Sequence, residues 1–329
     1  MRKKSFAVIG AGVAGLSCAR ALSTSGHRVV VFEKSRGPGG RISSKRTENG
    51  SFDLGCQFLQ AKTALFETQL ENWAKQGVLV PWQGRLGTLD SGVFRPVERC
   101  SSAPMEKERW VASERSSQLA RFLARALEVQ SRTRVVEVRQ SPNGYLLRTE
   151  THGDFGPFDH VVLATPPPQA IPLASLSSKL LHALSQVDFS PVWAVAMELA
   201  KETDYGFDAA WISDSPLRWA SRRSAQHGRP SGAGWVLHAS REWSKEHLDE
   251  DSEWVARALT SSFSDAVSHD LTVTRTQAHR WRFGLVSKAA KRPYLSDLST
   301  QIHYCGDGCL GSSVENAWRS GRLLADAIT

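Results

Sequence analysis

Three glycines near the N-terminus have the spacing of a phosphate-binding turn. Gly10, Gly12 and Gly15 stand between the apolar segment Ser5–Ile9 and a segment with helical periodicity that runs to about Ser25. The first glycine permits a tight turn, the second lets the backbone approach a pyrophosphate, and the third lets the helix pack closely on the strand. The free N–H groups of the helix N-terminus attract phosphate oxygens. The motif therefore predicts a dinucleotide site.

An acidic residue and a basic loop follow this turn at the next strand. Glu33 ends the second apolar segment, where a carboxylate can accept hydrogen bonds from both hydroxyls of a ribose. The loop behind it is rich in glycine and would contact a pyrophosphate that extends across the first turn. Its candidate binding residues are Lys34, Arg36, Gly40 and Arg41.

Two further motifs lie near the C-terminus. Gly306 and Asp307 end a predicted strand, and Val314 and Glu315 open the last helix. Together with the Gly-Gly-Arg stretch 39–41, they resemble the flavoprotein amine oxidase superfamily. This resemblance implies FAD rather than NAD as the cofactor. It also implies that the helix N-terminus points at the flavin N1/O2 edge, where its positive end stabilises anionic reduced flavin.

A narrower resemblance runs along the whole chain. The segments 43–46, 53–58, 164–169, 235–239, 279–282 and 307–311 are similar to those of the renalase family, especially its bacterial members, and come in the same order. Membership implies non-covalent FAD and the oxidation of 2- or 6-dihydro-NAD(P) to NAD(P)+, with O2 reduced to H2O2. It also places Gln57 and Phe58 beside the flavin. One departure is visible at 114–116, where relatives often carry Gly-Met-Ser.

The predicted cofactor-binding set combines these motifs. It comprises Gly10, Gly12, Val13, Ala14, Gly15, Glu33, Lys34, Arg36, Gly40, Arg41, Gln57, Phe58, Val135, Gly306, Asp307, Val314 and Glu315. No metal is expected, because the five cysteines are scattered and lack the spacing of zinc ligands.

Dihydronicotinamide oxidation needs no general base, since loss of hydride forms the aromatic pyridinium directly. Positioning is then the main catalytic requirement. We expect His279 and Arg282 to face the substrate, with His238 as a further candidate. The resemblance implies that an amine oxidase of the superfamily has a lysine near flavin N5, and we can place no lysine of this sequence there. The alternatives are an FAD-dependent amine oxidase, a carotenoid-type desaturase, and a non-catalytic FAD- or NAD-binding protein.

The element pattern predicts an α/β protein with a doubly wound, Rossmann-like FAD-binding domain and a smaller α+β substrate domain on an antiparallel sheet. We assign 1–58, 101–168 and 295–329 to the first domain, and 59–100 and 169–294 to the second. A helix is expected over 116–129. The Ser-, Gly- and Arg-rich segment 222–234 is expected to be a mobile loop.

Composition narrows the function classes. The 329 residues include 41% hydrophobic and 22% charged residues, which is typical of a globular protein. The net charge of +8 favours an anionic partner. Because the basic residues are dispersed, a small dinucleotide explains the charge, and nucleic acid is not expected. No apolar run approaches the length of a membrane span, and no signal peptide is evident. The expected location is the cytoplasm. The resemblance to the renalase family implies O2 as the second substrate.

Overall fold

The computed structural model describes residues 2–48, 50–97 and 108–329. Contacts divide the chain into two compact units. The first comprises Met1–Ile42, Leu119–Phe189 and Leu285–Thr329, and the second comprises Ser43–Gln118 and Ser190–Gly284. Residues 43–58 and 108–118 thus belong to the second unit rather than to the expected FAD-binding domain, and residues 169–189 and 285–294 belong to the first unit rather than to the expected substrate domain. For residues 43–58 the reason is hydrogen bonding within the second unit, such as that of Asp53 with Arg229 and of Gln57 with Ser221. The expected boundary between 100 and 101 lies outside the described residues.

The first unit is built on a six-stranded sheet. In spatial order, its strands are β10 (Glu128–Ser131), β2 (Arg28–Glu33), β1 (Ser5–Ile9), β14 (His160–Leu163), β21 (Ile302–Tyr304) and β20 (Leu295–Asp297). All neighbours are parallel except β20 and β21. The central strands β2, β1 and β14 are largely buried, as parallel strands covered on both faces must be. The doubly wound Rossmann-like fold is confirmed.

Helices and a small sheet complete the first unit. The helices are α1 (Val13–Thr24), α3 (Ser117–Leu123), which begins just before the unit boundary, α4 (Pro167–Ala170), α5 (Ser178–Leu184) and α8 (Val314–Ile328). The antiparallel sheet consists of β11 (Val135–Ser141), β12 (Gly144–Thr149) and β13 (Asp154–Phe158). Helices α1 and α8 pack very closely. A Cβ at Gly321 would lie 2.1 Å from the Ala14 carbonyl oxygen.

The second unit is built on a seven-stranded, mostly antiparallel sheet. In spatial order, its strands are β19 (Val273–Lys288), β15 (Asp188–Leu199), β18 (Gly234–Ala239), β17 (Leu217–Arg222), β16 (Ala209–Ile212), β7 (Leu86–Asp90) and β8 (Val93–Pro96). The shorter elements are β3 (Lys45–Thr47), β4 (Gly50–Phe52), β5 (Leu59–Gln60), α2 (Ala64–Lys75), β6 (Leu79–Pro81), β9 (Arg109–Ala112), α6 (Arg241–Glu246) and α7 (Ser252–Val267).

The tryptophans of this sheet are divided between its two faces. Trp193 and Trp235 pack with the apolar side of α7. On the face opposite α7, Trp281 packs against Phe52 and Leu54. Trp219 pairs in register with His238 and shares that face. Aromatic residues therefore line both faces.

One predicted helix is shorter than expected. The amphipathic pattern over 116–129 forms a helix only as far as Leu123, and Ala126 takes a positive φ of 63°. The next residues form β10, which pairs in parallel with β2. Sheet pairing thus overrides the helical periodicity. Within the described ranges, the helices are all too short or too polar to cross a membrane.

Candidate functional site

The turn from β1 to α1 forms an open cradle of backbone. Gly10 has a φ of 114°, and a Cβ there would lie 2.7 Å from the Ala164 carbonyl oxygen. A Cβ at Gly15 would lie 2.1 Å from the Gly10 carbonyl oxygen, whereas one at Gly12 would meet no atom within 4 Å. Gly12 caps α1 without any side-chain hydrogen bond. The open space at Gly12 and the uncapped helix end fit a pyrophosphate.

Glu33 ties this turn to the basic loop. Its Oε2 accepts a hydrogen bond from the Ala11 N–H at 2.9 Å, and its Oε1 accepts one from the Ser35 N–H at 2.8 Å. The Gly39 N–H also donates to the Ala11 carbonyl oxygen, at 2.9 Å. A carboxylate has about four lone-pair positions, so acceptor capacity remains for ribose hydroxyls. The sequence signal predicts this role, but not the internal hydrogen bonds.

Arg41 and Asp307 form a two-pronged ion pair between motifs at opposite ends of the chain. Arg41 Nη1 and Nη2 donate to the two Asp307 oxygens at 2.7 and 2.6 Å. The Arg41 guanidinium also lies over the Phe189 ring, 5.4 Å from its centroid. The neighbouring Gly306 N–H donates to Ser320 Oγ of α8. The pair fixes the Gly-Gly-Arg loop to the Gly-Asp turn and neutralises the charge of both side chains.

The other predicted cofactor residues of the first unit differ in exposure. Lys34 and Arg36 are exposed, and Lys34 donates to Gln169. A Cβ at Gly40 would lie 3.4 Å from the Gly12 Cα, so the two glycine loops are neighbours. Val13, Ala14, Val135 and Glu315 are buried, and Val314 is half-buried.

Gln57 lies in the second unit, and its side chain is fully hydrogen bonded. Its Oε1 accepts from Ser221 Oγ at 2.7 Å, and its Nε2 donates to the carbonyl oxygens of Gly55, at 3.0 Å, and Asp53. Gln57 therefore stabilises the conformation of residues 53–57. Its expected position beside the flavin stays a prediction.

Phe58 belongs to an aromatic cluster on the face opposite α7. Its ring lies 5.7 Å from Trp82, 5.8 Å from Trp219 and 6.5 Å from Trp211. Trp219 and Trp211 meet edge to face at 5.3 Å. The cluster gives this face a surface of uncharged, planar aromatic rings.

A histidine on the same face is held in one tautomer. His238 Nε2 and Trp281 Nε1 lie 3.0 Å from the Leu54 carbonyl oxygen. A carbonyl can only accept, so His238 carries its proton on Nε2 and leaves Nδ1 as an acceptor. Burial lowers the pKa of His238 to about 4, so the ring is uncharged at neutral pH. His238 thus presents a neutral acceptor.

His279 and Arg282 are not brought together. Burial, and then nearby Lys45, lowers the pKa of His279, whose ring lies edge-on to Trp281 at 4.3 Å. Arg282 donates instead to Asp249 at 3.1 Å. Side chains alternate along a strand, so positions three apart lie on opposite faces of β19. The sequence predicts a strand here. The three-residue spacing of His279 and Arg282 on that strand is the signal that could have placed them on opposite faces.

The buried carboxylates of the second unit are all paired with arginine, within the residues that the structure describes. Asp53 contacts Arg229 at 2.5 Å, and Glu198 lies 3.8 Å from Arg223. The third carboxylate, Asp208, contacts Arg85 at 3.2 Å and also Arg222. Each negative charge is therefore compensated inside the protein.

Comparisons with known proteins identify the cofactor and the class of enzyme. The NAD(P)-binding Rossmann-like domain matches residues 8–68, and the flavin containing amine oxidoreductase family matches residues 90–329. A flavin-containing family with this dinucleotide-binding domain uses FAD, so the protein is an FAD-dependent oxidoreductase.

Curated relatives match only a short segment. A 4,4'-diapophytoene desaturase (4,4'-diaponeurosporene-forming) of Staphylococcus haemolyticus is 47% identical over 50 residues, which are 15% of this chain and 10% of that protein. The desaturase of the same name from Staphylococcus aureus (strain Newman) is 45% identical over 50 residues, with the same coverage.

A solved structure resembles the whole chain. The crystal structure of a candidate protoporphyrinogen oxidase from Exiguobacterium sp. 255-15 covers 100% of this chain and 99% of its own, with a TM-score of 0.80 and 13% identity. At this identity the likeness shows the fold alone. The family match covers most of the sequence, and the chain belongs to the flavin-containing amine oxidoreductase family.

Proposed function

We propose that this protein is a flavin oxidase of the renalase type, which oxidises 2- or 6-dihydro-NAD(P) to NAD(P)+. Bound FAD would supply the acceptor for a hydride from the substrate, and O2 would then take up the two electrons, the hydride's proton and one proton from water to leave as H2O2. The proposal rests on the renalase-like segments of the sequence and on the charge pattern of the second unit. Its substrates are a small dinucleotide and O2.

The pairing of every buried carboxylate described in the second unit is the observation that carries the proposal. A protonated amine that entered a dehydrated site would need a free carboxylate to offset its loss of hydration. Asp53, Glu198 and Asp208 are each occupied by arginine. A neutral dihydronicotinamide ring needs no such partner and can stack on aromatic surfaces.

His238 supplies the polar group that such a ring requires. Its Nδ1 can accept a hydrogen bond from the carboxamide NH2 of a nicotinamide, because Nε2 is committed to Leu54. A low pKa keeps the ring neutral, so it does not repel the positive charge that the substrate ring gains when hydride leaves. No proton has to be removed from the substrate carbon. The chain then has to orient the ring and exclude water.

Non-covalent attachment of FAD is part of the proposal, and the burial of two cysteine side chains supports it. Burial raises the pKa of both Cys56 and Cys309 to about 12. Thiolates are the nucleophilic form of cysteine, so both side chains remain unreactive at neutral pH. We therefore expect FAD to be held by the glycine cradle, Glu33 and the Arg41–Asp307 turn.

Steady-state turnover tests the proposal. O2 consumption should accompany the conversion of 2- or 6-dihydro-NAD(P) to NAD(P)+, identified by NMR, with one H2O2 for each turnover. His238→Leu should raise the KM about five- to tenfold through loss of one hydrogen bond, with FAD content unchanged. His152→Asn, which alters an exposed histidine of the first unit, is the control. Unchanged KM in His238→Leu, or preferred turnover of a monoamine, would contradict the proposal.

A further inference from the structure

The segment expected to be a mobile loop is anchored along its length. We call residues 223–230 the strap. The Ala225 carbonyl accepts from Trp82 Nε1 at 3.0 Å, and Gln226 Nε2 donates to the Gln57 carbonyl at 3.0 Å. His227 Nδ1 lies 3.1 Å from the Ser113 carbonyl oxygen. The strap therefore holds three separate parts of the second unit.

Gly228 lets the strap approach closely. It has a φ of 69°, and a Cβ at this position would lie 1.9 Å from the Ser113 carbonyl oxygen. The obstacle is backbone, which cannot rotate away as a side chain could. A larger residue would therefore lift the strap and the arginine that follows.

Arg229 is the most deeply inserted charged residue of the strap. Its side chain is 2% exposed, and that of its partner Asp53 is 4% exposed. Nε and Nη2 donate to Asp53 Oδ2 at 3.1 and 2.5 Å. Nη1 donates to the carbonyl oxygens of Ala112, at 2.8 Å, and His227, at 2.9 Å. The planar guanidinium thus joins three segments, which a lysine could not do.

Asp53, which Arg229 holds in place, is further hydrogen bonded, and so are the residues that follow it in the chain. Its carboxylate also accepts from Ser44 Oγ and from the Ser116 N–H. The following residue, Leu54, fixes the tautomer of His238 through its carbonyl. Gln57 then braces the end of the segment against Ser221. Residues 53–58 are consequently held at both ends, and Arg229 anchors the first end.

We propose that Arg229 is a positioning residue of the FAD-dependent reaction. Through Asp53, it fixes residues 53–58. These include Leu54, whose carbonyl orients His238, and Gln57 and Phe58, which the renalase resemblance places beside the flavin. The inference rests on the proposed function for the substrate and on the renalase resemblance for the flavin-facing role of Gln57 and Phe58. It adds a residue from a segment whose composition gives no catalytic signal.

Four variants separate positioning from simple stabilisation. Arg229→Gln removes the guanidinium, and Arg229→Lys keeps the charge but loses the planar fork. The double variant Asp53→Asn/Arg229→Gln removes the buried charge along with its partner, which protects the fold. Arg85→Gln is the control, because it breaks the ion pairs with Asp204 and Asp208 without contacting residues 53–58.

Two readouts follow positioning. The first is visible circular dichroism of the bound flavin, which reports its asymmetric surroundings and needs no substrate. The second is anaerobic stopped-flow reduction, which separates the limiting rate from the substrate Kd. A displacement of about 1 Å can cost about a hundredfold in rate, so Arg229→Gln should lose up to that factor in the limiting rate. The Kd should rise by no more than the five- to tenfold expected for His238→Leu, and both values for Arg229→Lys should lie between those of the wild type and of Arg229→Gln.

The outcomes are distinct. The double variant should stay slow and keep the altered dichroism, while Arg85→Gln should match the wild type in both readouts. Wild-type rate and dichroism in the double variant would overturn the inference, because Arg229 would then only neutralise Asp53. If no dihydronicotinamide reduces the wild type, the proposed function fails. The positioning role is then tested by circular dichroism alone, and unchanged dichroism of the bound flavin in Arg229→Gln would overturn it. Should Arg229→Gln not fold, Gly228→Ala tests the same displacement without touching a charge.

Discussion

Replacing Glu33 by alanine separates cofactor binding from folding, because its two oxygens serve different N–H groups. The Ala11 N–H is fully buried, so without the carboxylate it stays unpaired at a cost of about 1–3 kcal/mol in unfolding free energy. The Ser35 N–H is at an exposed residue, where water can replace the lost bond. The lost charged acceptor for ribose should weaken FAD binding at least about tenfold.

The assay needs two titrations and a matched control. Urea unfolding of the apoprotein gives the stability change, and quenching of flavin fluorescence gives the Kd for FAD. Asp159→Ala removes another carboxylate of the first unit that accepts a main-chain N–H, from Ser5 at 2.7 Å, at the start of β1. That variant should lose stability and keep its FAD affinity. If Glu33→Ala bound FAD as tightly as wild type, the assignment of Glu33 to the ribose would be refuted.

Three further results are expected. Gly12→Ala should fold normally and bind FAD weakly, whereas Gly15→Ala should lose about 1–3 kcal/mol of stability by overpacking; calorimetry and FAD titration compare them. Burial lowers the pKa of His160 to about 4 and that of His303 to about 3, so the unfolded chain binds protons first as the pH falls below about 6.5. The free energy of unfolding should therefore fall between about pH 6.5 and pH 4, by up to about 1.4 kcal/mol per pH unit for each ring. His303→Gln should make the free energy measured by urea unfolding depend less on pH. Acid precipitation should release all the flavin, and colour in the pellet would contradict non-covalent binding.

Local patterns predict much of the first unit. Strand Ser5–Ile9 has the expected bounds and helix Val314–Ile328 begins where expected, because each is specified by its own apolar pattern. The glycine turn and Glu33 were likewise predictable, since backbone conformation and the strand end set their positions. The ion pair of Arg41 with Asp307 could not be derived, because it joins residues 266 positions apart.

Long-range pairing explains what local patterns missed. β10 exists because it pairs with β2, which overrides a helical period in the same residues. The strap has the composition of a loop, and its order depends on Asp53, 176 positions before Arg229. His238 could be named from sequence, but its tautomer depends on the Leu54 carbonyl, which only the folded second unit brings within reach.

Anaerobic bleaching of the bound flavin tests the central claim most directly. The protein is mixed in turn with 2-dihydro-NAD(P), 6-dihydro-NAD(P), ordinary NADH and a panel of monoamines and polyamines, and the flavin absorbance is followed. One of the 2- or 6-dihydro isomers should bleach the flavin within seconds, and O2 should restore the colour and form H2O2. Amines and ordinary NADH should reduce it far more slowly. Faster reduction by a monoamine than by every dihydronicotinamide isomer would contradict the account and identify an amine oxidase instead.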